Sequence, residues 1–182
     1  PRLQGPVTDL TRAQVLASGR QRIDAALQEL QQDQNLQLFV LFVESTGGRT
    51  VTAYADEVAL QNSLGGNDLL LVVALTDRTD ALWRSNELLD SLSDRELSSV
   101  LTQQVEPRLG AGDFPGAVVA AADGLGRIAG GTSPGEVDGG EGVSIVPVLV
   151  VLAVIIGLPL LALGIQLFGR VRQTVSQSDR RR

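Results

Sequence analysis

Between Val143 and Phe168 the chain runs for 26 residues without a charge, VSIVPVLVVLAVIIGLPLLALGIQLF. A helix needs about 20 predominantly apolar residues to cross a bilayer. A core helix of this length would carry a polar stripe, and none is present. The run therefore predicts a single transmembrane helix over 143–168. At about 1.5 Å per residue it would reach roughly 39 Å, enough to span with tilt. Pro159 removes a backbone donor just after Gly157 and predicts a kink. Ala153 and Gly157 form a small-xxx-small pair that would let a second helix approach closely. Ala153, Gly157 and Pro159 are thus the candidate residues for contact with other membrane helices.

Charge divides at this run. Residues 1–142 carry 10 Arg and 20 Asp and Glu, a net of −10, while 169–182 carry 5 Arg and 1 Asp, a net of +4. The sum over the chain is −6. Arg170, Arg172, Arg180, Arg181 and Arg182 follow the run, and the segment before it has no cation. The positive-inside rule then places the C-terminus in the cytoplasm and the acidic part outside it. The cell membrane is the expected location, with the lipid bilayer as one partner. A nucleic-acid partner is excluded, because the acidic part has no basic stripe.

The chain contains no Cys, His, Met or Lys. Without Cys and His there is no thiol nucleophile, no Ser-His-Asp triad and no zinc or iron–sulfur ligand set. A bound metal would need oxygen ligands, which suits calcium or magnesium. The lack of Met gives the expectation of a mature chain whose N-terminal signal peptide has been removed.

Ahead of the apolar run, residues 130–142 (GGTSPGEVDGGEG) lack periodicity and are rich in Gly and acid, so they predict a linker. Residues 1–129 alternate between helical and strand patterns. A capping-box pattern at Thr11 and Gln14, with Leu16, Ile23, Leu27 and Leu30 at helical spacing, predicts a helix over 11–34. The continuous runs Leu38–Val43 and Leu69–Leu75 predict strands buried on both faces. A helix over 50–64 lies between them, so the two strands should be parallel with a right-handed crossover. Asp80–Arg84 reads as an antiparallel edge strand. It carries Trp83, which reads equally as an interface anchor or as a side chain buried under a helix. Ser93 and Glu96 form a second capping box, opening a helix that uses Leu97, Val100, Leu101, Val105 and Leu109. Asp113 caps a last helix. The expected fold is a three-layer α/β/α sandwich with a small mixed sheet, followed by the membrane helix.

Four stretches carry a resemblance to a known family. They are Val7-Thr8-Asp9; Gly66-Asn67-Asp68 with the apolar run to Leu75 and then Asp77-Arg78; Leu92-Ser93-Asp94; and Pro107-Arg108-Leu109 through Gly112-Asp113-Phe114. In this order they resemble the TPM domain, found in thylakoid, bacterial and animal membrane-associated proteins, over about residues 7–130. The family's Gly-x-Gly turn after the third strand, at about Ser85-Asn86-Glu87 here, is missing, and so is the Gly of its Asp-Asn-Gly, since Leu69 follows Asp68 directly.

The resemblance implies calcium binding, with Asp9, Asp68 and Asp94 as the candidate ligands, and an acid-phosphatase activity in some relatives. Asp77 lies at the far end of the strand from Asp68, more than about 20 Å away in an extended chain. It therefore cannot share an ion with Asp68, and Asp68 pairs better with Asp9 or Asp94. For Asp94 and Asp113, a place at a helix N-terminus is the simpler reading. A phosphatase needs a nucleophile, a phosphate cradle or a metal pair, and the sequence offers no Gly-rich phosphate loop. The resulting expectation is a non-enzymatic accessory or assembly subunit of a larger membrane complex, photosynthetic or respiratory, whose partners are the other subunits. The alternatives are a membrane-tethered phosphatase and a calcium-binding extracytoplasmic domain.

Overall fold

The computed structural model describes residues 1–131. The linker beyond that point, the helix expected over 143–168 with Ala153, Gly157 and Pro159, and the basic tail lie outside the described residues. Among the described residues no helix is long and apolar enough to cross a membrane.

Two apolar strands form the centre of the sheet. β2 (Gln37–Val43) and β3 (Asp68–Ala74) pair in parallel, with Leu38 opposite Leu69 and Phe42 opposite Val73. Apart from its first residue, β3 is buried throughout. β4 (Thr79–Arg84) returns antiparallel along β3 and forms the outer edge, as its weaker pattern predicts. The other neighbour of β2 is a strand that the sequence reading missed. β1 (Val7–Asp9) is only three residues long and pairs in parallel with Val40–Phe42. The sheet is therefore mixed and four-stranded, in the order β1-β2-β3-β4.

Strands with apolar side chains on both faces must be covered on both. α1 (Arg20–Gln34), α3 (Asp94–Val100) and α5 (Phe114–Ala129) cover one face. There Ile23, Leu27, Val100, Val118 and Leu125 meet Leu38, Val40, Leu71 and Val73. α2 (Val51–Gln61) covers the other, placing Tyr54, Ala55 and Val58 on Leu41, Leu70 and Val72. The two crossovers step across the sheet in one direction, β1 to β2 to β3, yet α1 and α2 lie on opposite faces. They are consequently of opposite hand, and one of them departs from the right-handed rule.

Two expected helices change shape. The helix predicted over 11–34 begins at Arg20, after a 3-10 turn at Ala17–Gly19. Thr11 does not cap it. Its amide and hydroxyl both donate to the Asp9 carboxylate, and Gln14 takes a left-handed conformation at φ 51° that breaks any helix there. The helix opened by Ser93 keeps its capping box, because Ser93 and Glu96 satisfy each other's backbone amides. It does not continue regularly. A π turn spans Leu101–Val105 before α4 (Glu106–Gly110). Pro107 explains the break, since it has no N–H and its ring crowds the carbonyl four residues earlier.

Close approach of α1 and α5 depends on one glycine. A Cβ at Gly19 would overlap the Pro115 ring in the first turn of α5. Gly19→Ala is expected to destabilise the domain by about 1–3 kcal/mol, the usual range for overpacking a filled contact. Urea unfolding should show a lower midpoint at unchanged slope. Gly110→Ala, where an added Cβ meets nothing within 4 Å, is the matched control and should shift the midpoint little.

Candidate functional site

α1 and α2 leave the sheet toward opposite faces, so the loops at the carboxyl ends of the strands diverge. In open α/β sheets ligands bind at such a crevice. Here a cleft of about 750 Å³ opens at the carboxyl edge of the sheet, over the end of β3 and beside α4 rather than between the diverging β1–α1 and β2–α2 loops. Its floor is Val73, Ala74 and Leu75, and its walls are Arg78, Thr79 and Asp80 on one side and Glu106, Leu109, Gly110 and Phe114 on the other. Phe114 stands edge-to-face against Phe42, with ring centroids 6.1 Å apart, which fixes the start of α5 beside the strand ends.

Three of the four sequence stretches that carry the family likeness meet at this edge. Asp77-Arg78 forms the β3–β4 turn, Pro107–Phe114 forms the opposite wall, and Asp9 ends β1 one strand beyond β2. Asp77 is a tie between loops. Its Oδ2 accepts from the Thr46 amide at 2.7 Å and from the Ser45 and Thr46 hydroxyls at 3.0 Å. The Thr46 amide, with these hydroxyls, holds the carboxyl below its ordinary range. Arg78 stands exposed in a left-handed conformation at φ 51°.

Asp80 is the perturbed group of the cleft. Burial, with a further push from the Glu106 carboxylate, raises its pKa to about 6. Sequence reasoning missed both Asp80 and Glu106. The signal was present in the alternation of β4, which places an acid at 80 on the same face as Leu82, the side of the larger core.

The three aspartates predicted as calcium ligands are not brought together. Asp9 shares its register row with Phe42 and Val73, whereas Asp68 shares one with Gln37. That places them about 16 Å apart along the strands and about 10 Å across them. Asp94 lies near the Asp68 edge but pairs with Arg84, and Asp68 closes a turn by accepting from the Gly65 amide at 3.0 Å. No group of three or more carboxylate, His or Cys side chains suited to a cation occurs among the described residues.

Asp9 instead organises the β1–α1 loop. Oδ1 accepts from the Thr11 amide at 3.0 Å and from its hydroxyl at 2.6 Å, and Oδ2 accepts from the Leu16 amide at 2.9 Å. Asp9→Ala should therefore cost about 2–3 kcal/mol of stability, the scale for losing hydrogen bonds to a charged acceptor. Urea titrations in calcium and in chelator should give the same loss. A loss seen only in calcium would make Asp9 a ligand.

Asp80 carries a pH signature. Its folded pKa is raised, so the folded state holds the proton more tightly than the unfolded chain. Its contribution to stability is then full below the unfolded pKa of about 4 and is lost as pH rises through about 6. Asp80→Asn should consequently raise the melting temperature more at pH 7.5 than at pH 5, measured by circular dichroism in dilute solution. An equal shift at both pH values would remove the perturbation assigned to Asp80.

Comparison with known proteins agrees with this architecture. The sequence profile of the TPM domain matches residues 7–128. The UPF0603 proteins Rv2345 and MT2410 of two Mycobacterium tuberculosis strains are each 38% identical over 127 residues, which is 69% of this chain. The chain spans only 19% of the length of those relatives. Among solved structures, the N-terminal domain of the cg2496 protein from Corynebacterium glutamicum aligns with a TM-score of 0.58 at 25% identity, over 74% of this chain and 87% of that one. The N-terminal domain of a protein from P. gingivalis aligns with a TM-score of 0.61 at 20% identity, over 70% and 83%, and supports the fold alone.

Proposed function

The chain belongs to the TPM domain family, and on that footing we propose that it is a non-enzymatic accessory or assembly subunit of a larger membrane protein complex. One C-terminal helix over 143–168 anchors it, and the α/β domain stands outside the cytoplasm on the Gly-rich tether. The observation that carries this reading is the reversal of charge across the uncharged run, from −10 over 1–142 to +4 over 169–182. That pattern fits one membrane crossing with a fixed orientation.

The cleft supports a binding role. Its polar groups are Arg78, Thr79, Asp80 and Glu106, set among apolar walls. Such a lining suits a long basic side chain of a partner subunit, its stem against Leu109 and Phe114 and its tip against the two carboxylates. Contacts of this kind are screened by salt, so the domain contributes the salt-sensitive part of the association. The membrane helix contributes the larger part, through close approach at Ala153 and Gly157 beside the Pro159 kink.

Gentle detergent extraction and copurification test the assignment. Gly157→Leu should release the subunit from its complex while the domain stays folded. Deletion of residues 1–129 should leave the remaining helix associated. Recovery of the unaltered chain alone, without companions, overturns the subunit reading. Normal copurification of Gly157→Leu, together with loss of the truncated helix, would make the domain the anchor instead.

A further inference from the structure

β4 is the outer strand of the sheet, and no described residue pairs with its free side. A groove of about 490 Å³ runs along it, between α2 and α3, and all residues from Asp80 to Arg84 line that groove. Hydrogen bonding fixes which backbone groups face outward. The Ser85 amide donates inward to the Asp68 carbonyl at 3.1 Å. Alternation along the antiparallel pair then directs the N–H and C=O of Thr79, Ala81 and Trp83 inward to β3. Those of Asp80, Leu82 and Arg84 point into the groove.

Natural sheets protect such edges with charges that repel a second strand. The charges on β4 do the opposite. Read outward from Leu82, the strand is Ala81 then Asp80 in one direction and Trp83 then Arg84 in the other. Two copies placed antiparallel about a two-fold axis through Leu82 set Asp80 of each opposite Arg84 of the other. Leu82 faces its own copy, and Ala81 faces Trp83. The residues that meet as hydrogen-bonded pairs in this register, Asp80 with Arg84 and Leu82 with Leu82, are the ones whose backbone groups point outward. A shift of one residue loses both the backbone match and the charge match.

Arg84 offers a second, independent reason. Its side chain is 11% exposed, and while one of its terminal nitrogens pairs with Asp94, its Nε is buried with no hydrogen-bond partner among the described residues. The buried Nε is closed to a second copy, but the other terminal nitrogen, which makes no hydrogen bond among the described residues, is suited to a further carboxylate at the strand edge.

We propose that this chain forms a two-fold symmetric dimer by antiparallel pairing of β4 with β4 of a second copy, centred on Leu82, joining the two sheets into one of eight strands. The interface is isologous, so it closes at two copies and does not propagate. Each of the three outward-facing pairs exchanges two backbone hydrogen bonds, and Asp80–Arg84 pairs flank the axis on both sides. The proposal does not depend on the membrane-subunit reading, although its groove adjoins the cleft and shares Asp80 with it.

The test uses the 182-residue chain in mild detergent. Sedimentation velocity should show a dimer. Asp80→Arg and Arg84→Asp, each of which opposes like charges twice in the interface, should weaken association at least about tenfold. Combining the two substitutions should restore it. Asp94→Ala, which removes only the intrachain partner of Arg84, should leave the dimer intact. Far-UV circular dichroism checks that each variant is folded.

A register-specific cross-link distinguishes pairing at β4 from any association through the uncharged segment 143–168. The chain has no cysteine, so Leu82→Cys introduces one, placed opposite its own copy. A short bifunctional thiol reagent should link it, and should not link Thr79→Cys, whose copies lie roughly 20 Å apart. A monomer at concentrations on the order of 100 µM, a dimer indifferent to charge reversal, or equal linking at 79 and 82 would overturn the proposal.

Discussion

The burial of β2 and β3 on both faces is the constraint on which the rest of the domain depends. Leu38, Val40 and Phe42 face one way and Leu41 and Val43 the other, and β3 repeats the pattern with Leu69, Leu71 and Val73 against Leu70, Val72 and Ala74. Each fully buried aliphatic side chain contributes about 1.5–3 kcal/mol relative to exposure, so neither face can be left to water. One helix cannot cover both faces of a sheet. The first crossover supplies α1 to one side and the second supplies α2 to the other, even though both step the same way across the sheet. The preference for right-handed crossovers yields to that demand in one of the two.

Divergence of the helices has a chemical consequence. The diverging connections leave the carboxyl edge of the sheet without a common roof, and over the end of β3 the β3–β4 turn and α4 gather polar residues around a cleft. The polar groups there fall into two kinds. Asp9 and Asp77 spend their oxygens on backbone amides and hydroxyls of neighbouring loops, and so hold the rim in shape. Asp80 and Glu106 have no such partners and face each other across the cleft wall. The first pair is structural, and the second is what a ligand would meet.

Much of this was legible in the sequence. The two apolar runs identified β2 and β3 within a residue at either end, because a strand buried on both faces has no polar residues to confuse its limits. Ser93 with Glu96, and Asp113, were readable as helix starts because their hydrogen bonds are local, the Asp113 carboxylate accepting from the Gly116 amide. The errors arose where a distant contact overrode a local pattern. Thr11 and Gln14 match a capping box, but Asp9 takes the Thr11 hydroxyl and the helix starts nine residues later. β1 is too short to show alternation and exists only because β2 offers it an edge. The site was less legible than the fold. Asp9, Asp68 and Asp94 stood out as acidic positions within motifs, but strand register sends Asp9 and Asp68 to opposite ends of the sheet. Asp80 sat within a segment correctly read as an edge strand, and only the packing of α4 beside it shows that its carboxyl is half-buried next to another acid.

Asp80 also connects the two surfaces of greatest interest. It lines the cleft with Glu106, and it lines the groove beside Arg84 on the free edge of β4. An acid pushed up to about 6 by burial and by a neighbouring carboxylate gains from any cation that reaches it. The cleft offers such a place to a basic side chain of a partner, and strand pairing offers one to Arg84 of a second copy. A single carboxylate has two oxygens, and the side chain cannot lie toward both cations with full contact. Association at one surface therefore withdraws charge from the other, and by thermodynamic reciprocity the weakening is the same in both directions. A carboxylate that is unfavourable for the isolated domain is thus the residue through which two modes of association would compete.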